Sequence, residues 1–143
     1  MRSPYGRTEL HRKQNSLFDA DKHINVKKVY ILKMNLKQIE RTKRAVLAEQ
    51  GLLQYMPRLK GYKYIDELQE MQEGSFVRWI HLHRRNLTNG GFLVRVDIRD
   101  DGIYLLMKNG FNKMMSLWAD ECIIFQKIPP QEQVMLTAMN HAY

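Results

Sequence analysis

Five short segments in the C-terminal half of the chain have the apolar patterning of β-strands. Between Phe92 and Arg99 the apolar residues Phe92, Val94, Val96 and Ile98 recur at every second position, which is the period of a half-buried strand. Asn-Gly-Gly, Asp-Gly and Asn-Gly sequences separate neighbouring segments and favour tight turns. The predicted strands are Ser75–His83, Phe92–Arg99, Ile103–Lys108, Lys113–Ala119 and Cys122–Lys127.

Helical spacing appears on both sides of these strands. A helix is predicted to begin after Asn35 and to end at Gly51, since Asn caps helix N-termini and Gly follows helix C-termini. Shorter helices are predicted over Asp66–Glu73 and Gln131–His141. The expected fold class is α+β and mainly β: a small five-stranded curled sheet or SH3-like barrel with flanking helices and a basic N-terminal arm.

Changes in composition divide the chain into three regions. Residues 1–25 form the arm, which is polar and has few apolar residues. Residues 26–63 are predicted to hold a short strand followed by a basic helix, and residues 64–143 the small barrel with its short flanking helices.

Charge is distributed unevenly between these regions. Residues 1–63 contain 15 Lys and Arg against 5 Asp and Glu, whereas residues 64–143 contain 8 against 10. A basic segment joined to a near-neutral domain is typical of an arm that binds phosphates, anionic lipid headgroups or an acidic protein surface, although surplus basic residues also serve solubility.

Candidate partner-binding residues follow from this asymmetry. In the arm, cations and apolar anchors would contact a neighbour: Arg2, Tyr5, Arg7, Arg12, Lys13, Leu17 and Phe18. In the helix, basic residues recur every three or four positions and would form a cationic face or simply a solvated one: Lys33, Lys37, Arg41 and Arg44.

No catalytic motif is present in the sequence. His81 and His83 would project from one strand face, but no third ligand lies nearby in sequence, so a metal site is not predicted. The single cysteine, Cys122, is expected to be a buried structural residue. The sequence lacks a phosphate-binding loop and a nucleophile elbow, so neither an enzyme nor a cofactor is predicted.

Nucleic acid binding is a second interpretation of the basic residues. Small barrels bind single strands by stacking bases on exposed aromatic side chains beside basic groups. Trp79, Arg84 and Arg85 are candidate contacts, although Trp79 and Trp118 could equally fill the core. Such binding would depend mainly on the arm and the basic helix and would be independent of base sequence.

A set of turn glycines and strand aromatics resembles a pattern in small, mostly uncharacterised β-rich proteins of large double-stranded DNA viruses. Its elements are Gly74–Ile80, Gly90–Leu93, Leu105, Lys108–Asn109, Trp118 and Ile124–Lys127, within about residues 66–128. The resemblance implies a virion or viral-factory context and brings no catalytic residues with it.

Together these observations predict a non-enzymatic assembly protein, such as a minor capsid component that bridges neighbouring subunits with its barrel and basic arm. Its expected partners are proteins with acidic surfaces, and nucleic acid is the alternative. The lone cysteine and the absence of an apolar secretory segment at the start favour an intracellular location, or the virion if the resemblance holds. No run of residues is apolar enough to predict a transmembrane segment.

Overall fold

The computed structural model describes residues 36–142, with side chains through residue 138. Helix α1, Leu36–Glu49, buries Ile39, Lys43 and Leu47, which are spaced four residues apart on one face. It ends at Glu49, two residues before the predicted end at Gly51, whose φ is +71°. The backbone N–H groups of Gly51 and Leu52 donate to the carbonyl oxygens of Ala48 (3.1 Å) and Leu47 (2.7 Å). This is the Schellman arrangement, which pairs the last carbonyls of the helix.

One antiparallel sheet of six strands follows α1. Its order is β1-β6-β2-β3-β4-β5, so β1 and β5 form the two edges. The strands are β1 Tyr62–Tyr64, β2 Phe76–His81, β3 Gly91–Arg99, β4 Gly102–Lys108, β5 Met114–Trp118 and β6 Cys122–Lys127. Helix α2, Pro130–Ala142, comes last. The class is therefore α+β and mainly β, as predicted.

Three details of the predicted fold are corrected. The prediction of five strands missed β1, whose three residues are too short to show a period and are in a strand because they pair with β6. The sheet is open, with β1 and β5 unpaired to each other, so a closed SH3-like barrel is not observed. The helix predicted over Asp66–Glu73 is reduced to one 3₁₀ turn, Leu68–Glu70.

The inner face of the sheet holds the larger apolar core. Leu105, Met107 and Ile124 are fully buried there, and Trp79 is buried with them. The loop before β2 adds Ile65, Leu68 and Met71 to the same cluster. Continuous burial of this kind is the main stabilising contribution to a domain of this size.

The outer face is covered over only half of its width. Leu47 of α1 and Leu59 of the 3₁₀ segment Leu53–Leu59 pack on Ile80, Ile123 and Phe125 of β2 and β6. Ile39 of α1 also packs with Ile128 and Leu136, which joins α1 to α2. Residues 36–63 and the sheet thus share one core, and the outer face of β3, β4 and β5 lies outside that cluster.

Neither α1 nor α2 is long and apolar enough to cross a bilayer, in the part of the chain that the structure describes.

Candidate interaction surface

The outer face of β3, β4 and β5 carries large apolar side chains that α1 does not cover. Phe92 and Met114 are each 47% exposed and Trp118 is 38% exposed. We call this surface the open outer face and define it by residues of the three strands: Phe92, Val94, Arg95, Asp97, Arg99, Tyr104, Leu106, Lys108, Met114, Ser116 and Trp118.

A β-bulge in β3 places part of this apolar surface outside. Leu93 pairs with Met107 and Arg95 pairs with Leu106, so Val94 is the extra residue. The bulge breaks the alternation expected over Phe92–Arg99. Phe92 and Val94 therefore lie on the open outer face while Val96 and Ile98 pack against the inner core. The sequence pattern placed all four on one face, and that placement was wrong.

Aromatic pairs order the two ends of the open outer face. At one end Phe92 packs edge-to-face against Phe76 of β2, with ring centroids 5.2 Å apart. At the other end Tyr104 and Trp118, which are direct cross-strand partners, stack with their rings tilted by 14°. The Arg99 guanidinium lies 4.3 Å from the centroid of the Tyr104 ring. These contacts hold aromatic rings at the surface, where all four residues stay partly or largely exposed.

Two cations of this surface, Arg95 and Arg99, are paired with a carboxylate. Arg95 Nε lies 2.9 Å from Asp97 Oδ1, and Arg99 Nη2 lies 3.7 Å from Asp97 Oδ2. The Tyr104 hydroxyl donates to Asp101 Oδ2 at 2.9 Å, and this bond is the main reason that the pKa of Tyr104 is raised. The surface is therefore mixed in charge and strongly aromatic.

Phe111 is a further exposed apolar residue, at the β4–β5 turn. Its side chain is 92% exposed. The turn itself is well bonded, since Asn109 Oδ1 accepts from the backbone N–H of Phe111 (2.9 Å) and of Lys113 (3.0 Å). Asn112 completes the turn at a φ of +61°, a conformation that Asn tolerates better than most residues. The turn thus holds a large apolar side chain in solvent.

Three of the four basic residues singled out in the helix lie within the described part of α1. Lys37, Arg41 and Arg44 are exposed. Lys33 and all the arm residues named above lie outside the described residues: Arg2, Tyr5, Arg7, Arg12, Lys13, Leu17 and Phe18.

Lys43 is the basic residue of α1 that the sequence pattern missed. Its side chain is fully buried, and its Nζ donates to the carbonyl oxygens of Leu59 (2.8 Å) and Tyr62 (3.0 Å). The same Nζ lies 2.8 Å from Glu40 Oε1. Lys43 therefore connects α1 by hydrogen bonds to the segment that leads into β1. In the sequence, only its four-residue spacing from Ile39 and Leu47 could have indicated that Lys43 is buried.

The candidate nucleic acid contacts Trp79, Arg84 and Arg85 are not brought together as a binding surface. Trp79 is only 8% exposed and belongs to the inner core, because its strand position faces Leu105 and Ile124. It is not available for base stacking. Arg84 is exposed. Arg85 donates from Nη2 to the carbonyl oxygen of Gln50, which ties it to the end of α1. The exposed tryptophan is Trp118.

The two histidines, His81 and His83, lie close together, and one acidic side chain, that of Glu121, lies beside His81. His81 Nε2 is 3.1 Å from Glu121 Oε2, and the backbone N–H of His83 donates to His81 Nδ1. Among the described residues, no group of three or more His, Cys, Asp or Glu side chains is arranged to hold a metal ion. Cys122 is buried, and burial, together with the charge of Glu121, raises its pKa to about 12.

Comparison with known proteins adds no assignment to this geometry: no family model, curated protein or solved structure matches the chain.

Proposed function

We propose that this protein is a non-enzymatic assembly component that binds a protein partner through its open outer face. The observation that carries the proposal is the exposure of Phe92 on β3 and of Met114 and Trp118 on β5, the two strands that flank β4, together with the exposure of Phe111 at the β4–β5 turn. Several large apolar side chains exposed on one sheet face are typical of interaction sites.

The composition of the open outer face supports a protein partner. Aromatic residues, Met and Arg are enriched at protein interfaces, and Trp, Tyr and Arg dominate their binding energy. This surface has Trp118 and Tyr104 stacked together, with Arg99 over Tyr104. Such a centre supplies a large area that is already ordered before the partner arrives.

The basic N-terminal half fits the same role. Its cations would contact acidic surface on a neighbouring subunit while the open outer face binds apolar surface, so one chain could bridge two subunits. Because the sequence resembles small proteins of large double-stranded DNA viruses, we extend the proposal to a minor capsid component of a virion.

Single-stranded nucleic acid is the second candidate partner, and one observation favours it. The stacked Tyr104 and Trp118 rings with the adjacent Arg99 guanidinium resemble the platforms on which bases stack. Against it, Asp97 pairs with both Arg95 and Arg99, so the cations beside the rings are already partly neutralised. A protein partner is therefore the preferred candidate.

Two measurements on the full chain separate the candidates. In the first, a photo-crosslinking amino acid replaces Phe111, and in a control protein it replaces Glu49, which is exposed at the end of α1. Irradiation in the native host should give discrete protein adducts from position 111 and none of the same size from position 49. The absence of position-specific adducts would overturn the proposal.

The second measurement is fluorescence anisotropy with labelled single-stranded and duplex DNA over about 50 to 300 mM salt. The proposal expects no binding at moderate salt that depends on Arg99 or Trp118. Binding that weakens steeply with salt, and that Arg99→Ala and Trp118→Ala reduce while the exposed control Lys127→Ala does not, would replace it with nucleic acid recognition.

A further inference from the structure

The edge strand β5 is free along one side and has no charged residue. Its sequence is Met-Met-Ser-Leu-Trp, and it pairs with β4 alone. In the part of the chain that the structure describes, no backbone hydrogen bond joins its other side to a strand or loop. Exposed edges are normally protected by charges, proline, a bulge or a covering element, because unprotected ones pair with other chains.

The opposite edge of the sheet shows the usual protection. β1 is only three residues long and is packed by α1. Its central residue, Lys63, is buried, with its Nζ 3.6 Å from Glu70 Oε2. The two edges of the same sheet therefore differ: one is short and covered, and the other is longer, apolar and open.

The hydrogen bonds of the β4–β5 turn show which backbone groups of β5 point outward. The Asn109 N–H donates to the Lys113 carbonyl oxygen at 3.0 Å. Antiparallel pairs alternate between bonded and non-bonded positions, so Met115 and Leu117 direct their backbone groups to β4. Met114, Ser116 and Trp118 consequently direct their N–H and C=O groups to the open side.

We infer that the open edge of β5 pairs with β5 of a second copy of this chain, antiparallel and centred on Ser116. This inference rests on the proposed assembly role and names one of its partners. Around a two-fold axis at Ser116, Met114 lies opposite Trp118 of the second copy, and Met115 lies opposite its Leu117. Every cross-strand pair is then free of like charges, and the three outward-directed residues exchange hydrogen bonds.

Charge at the two ends of β5 fits the same register. Lys113 immediately precedes the strand and is exposed, and Asp120 follows shortly after its end. In an antiparallel pair centred on Ser116, Lys113 of each copy lies opposite Ala119 of the other and beside its Asp120. A parallel pair would instead bring the two lysines together. The ends therefore favour the antiparallel arrangement.

The pairing also continues the open outer face across the axis. Met114 and Trp118 from both copies would form one apolar surface, and the half-buried Met115 and Leu117 would be covered further on the inner face. Strand addition of this kind gains affinity from main-chain hydrogen bonds and specificity from alternate side chains.

Sedimentation velocity of the full chain over a concentration series tests the inference. The expected result is a reversible monomer–dimer equilibrium. Ser116→Pro removes an outward-directed N–H, and Ser116→Lys places two cations face to face on the axis, so both should abolish the dimer. The matched control Ser116→Ala keeps the N–H group and should still dimerise.

Two outcomes of this experiment overturn the inference. One is a wild-type chain that remains a monomer at every concentration, and the other is a dimer that persists in Ser116→Lys with an unchanged circular dichroism spectrum. Neither outcome affects adducts that position 111 forms with a protein other than a second copy of this chain, so failure of the edge pairing and failure of the proposed function are distinguishable.

A cysteine cross-link checks the register without weakening the dimer. Hydrogen-bonded antiparallel partners have Cα atoms about 5.5 Å apart, which is within the range that a disulfide spans. Ser116→Cys should give a covalent dimer on mild oxidation, while Arg44→Cys, exposed on α1, should not. The native Cys122 is buried and does not compete. Equal cross-linking at both positions, or none at position 116, contradicts the register.

Discussion

At the scale of single residues, Lys43 shows how a buried charge can be structural. Its Nζ satisfies the carbonyl oxygens of Leu59 and Tyr62, two groups at the junction of the 3₁₀ segment and β1. Glu40, which is half exposed, supplies the opposite charge. A buried lysine is tolerated only when its ammonium group is bonded in this way, and removing it leaves the two carbonyls without their donor.

Lys43→Met is therefore expected to lower the free energy of unfolding by about 2–4 kcal/mol, since it keeps the side-chain volume but removes the donor. Urea denaturation measures the change. Lys37→Met on the exposed side of the same helix is the control and should alter stability by no more than about 0.5 kcal/mol. Equal unfolding midpoints for the two variants would show that the hydrogen bonds of Lys43 do not stabilise the fold.

Cys122 gives a prediction about pH. Burial and Glu121 raise the pKa of its thiol to about 12. Because the folded state keeps the proton that the unfolded chain releases near pH 9, the stability that this group contributes is present below about pH 9 and is lost as pH rises toward 12. The unfolding free energy of the wild type should fall through this window more steeply than that of Cys122→Ala. If the unfolding free energies of the two proteins changed with pH in parallel, the raised pKa of Cys122 would be contradicted.

At the scale of elements, the β3–β4 hairpin depends on Gly102. The residue has a φ of +150°, and a Cβ added there would contact the Trp118 indole and lie 3.1 Å from Asp120 Oδ2. An alanine would therefore displace Trp118 from its stack with Tyr104. The glycine contributes to the open outer face as well as to the turn.

Gly102→Ala is expected to destabilise the protein by about 1–3 kcal/mol and to shift the Trp118 contribution to the near-ultraviolet circular dichroism. Gly110→Ala is the matched control, because a Cβ at Gly110 meets no atom within 4 Å. That control should change stability by less than about 1 kcal/mol. An unchanged near-ultraviolet spectrum for Gly102→Ala would contradict the packing described for Trp118.

The elements that the sequence predicted well are those with local causes. The five longer strands and α1 were located because turn glycines, alternation and a helix-ending glycine lie within the segments themselves. β1 was missed because Tyr62 pairs with Lys127, far along the chain. The β3 bulge was missed because no local sequence pattern indicates it. The bulge is the reason that Phe92 and Val94 face outward. The open outer face therefore could not be predicted, since which half of the sheet α1 covers is a tertiary property.

At the scale of the whole molecule, α1 and the sheet share a core. Leu47 is fully buried against Ile80, Ile123 and Phe125, although it lies in the basic region that the composition separates from the barrel. The sharp change in charge near residue 63 thus does not coincide with a gap in packing. Residues 36–63 complete one side of the sheet and leave the other side open for a partner.

This shared core predicts that helix and sheet unfold together. Leu47→Ala should destabilise the protein by about 2–5 kcal/mol because it opens a cavity in the cluster that joins them. Far-ultraviolet circular dichroism follows the helices α1 and α2, and tryptophan fluorescence follows Trp79 and Trp118 of the sheet, so both probes should shift to the same lower urea midpoint. Arg44→Ala on the exposed side of α1 should leave that midpoint within about 0.5 kcal/mol of wild type. If the helix signal moved alone, residues 36–63 would be a separate unit docked on the sheet rather than part of its core.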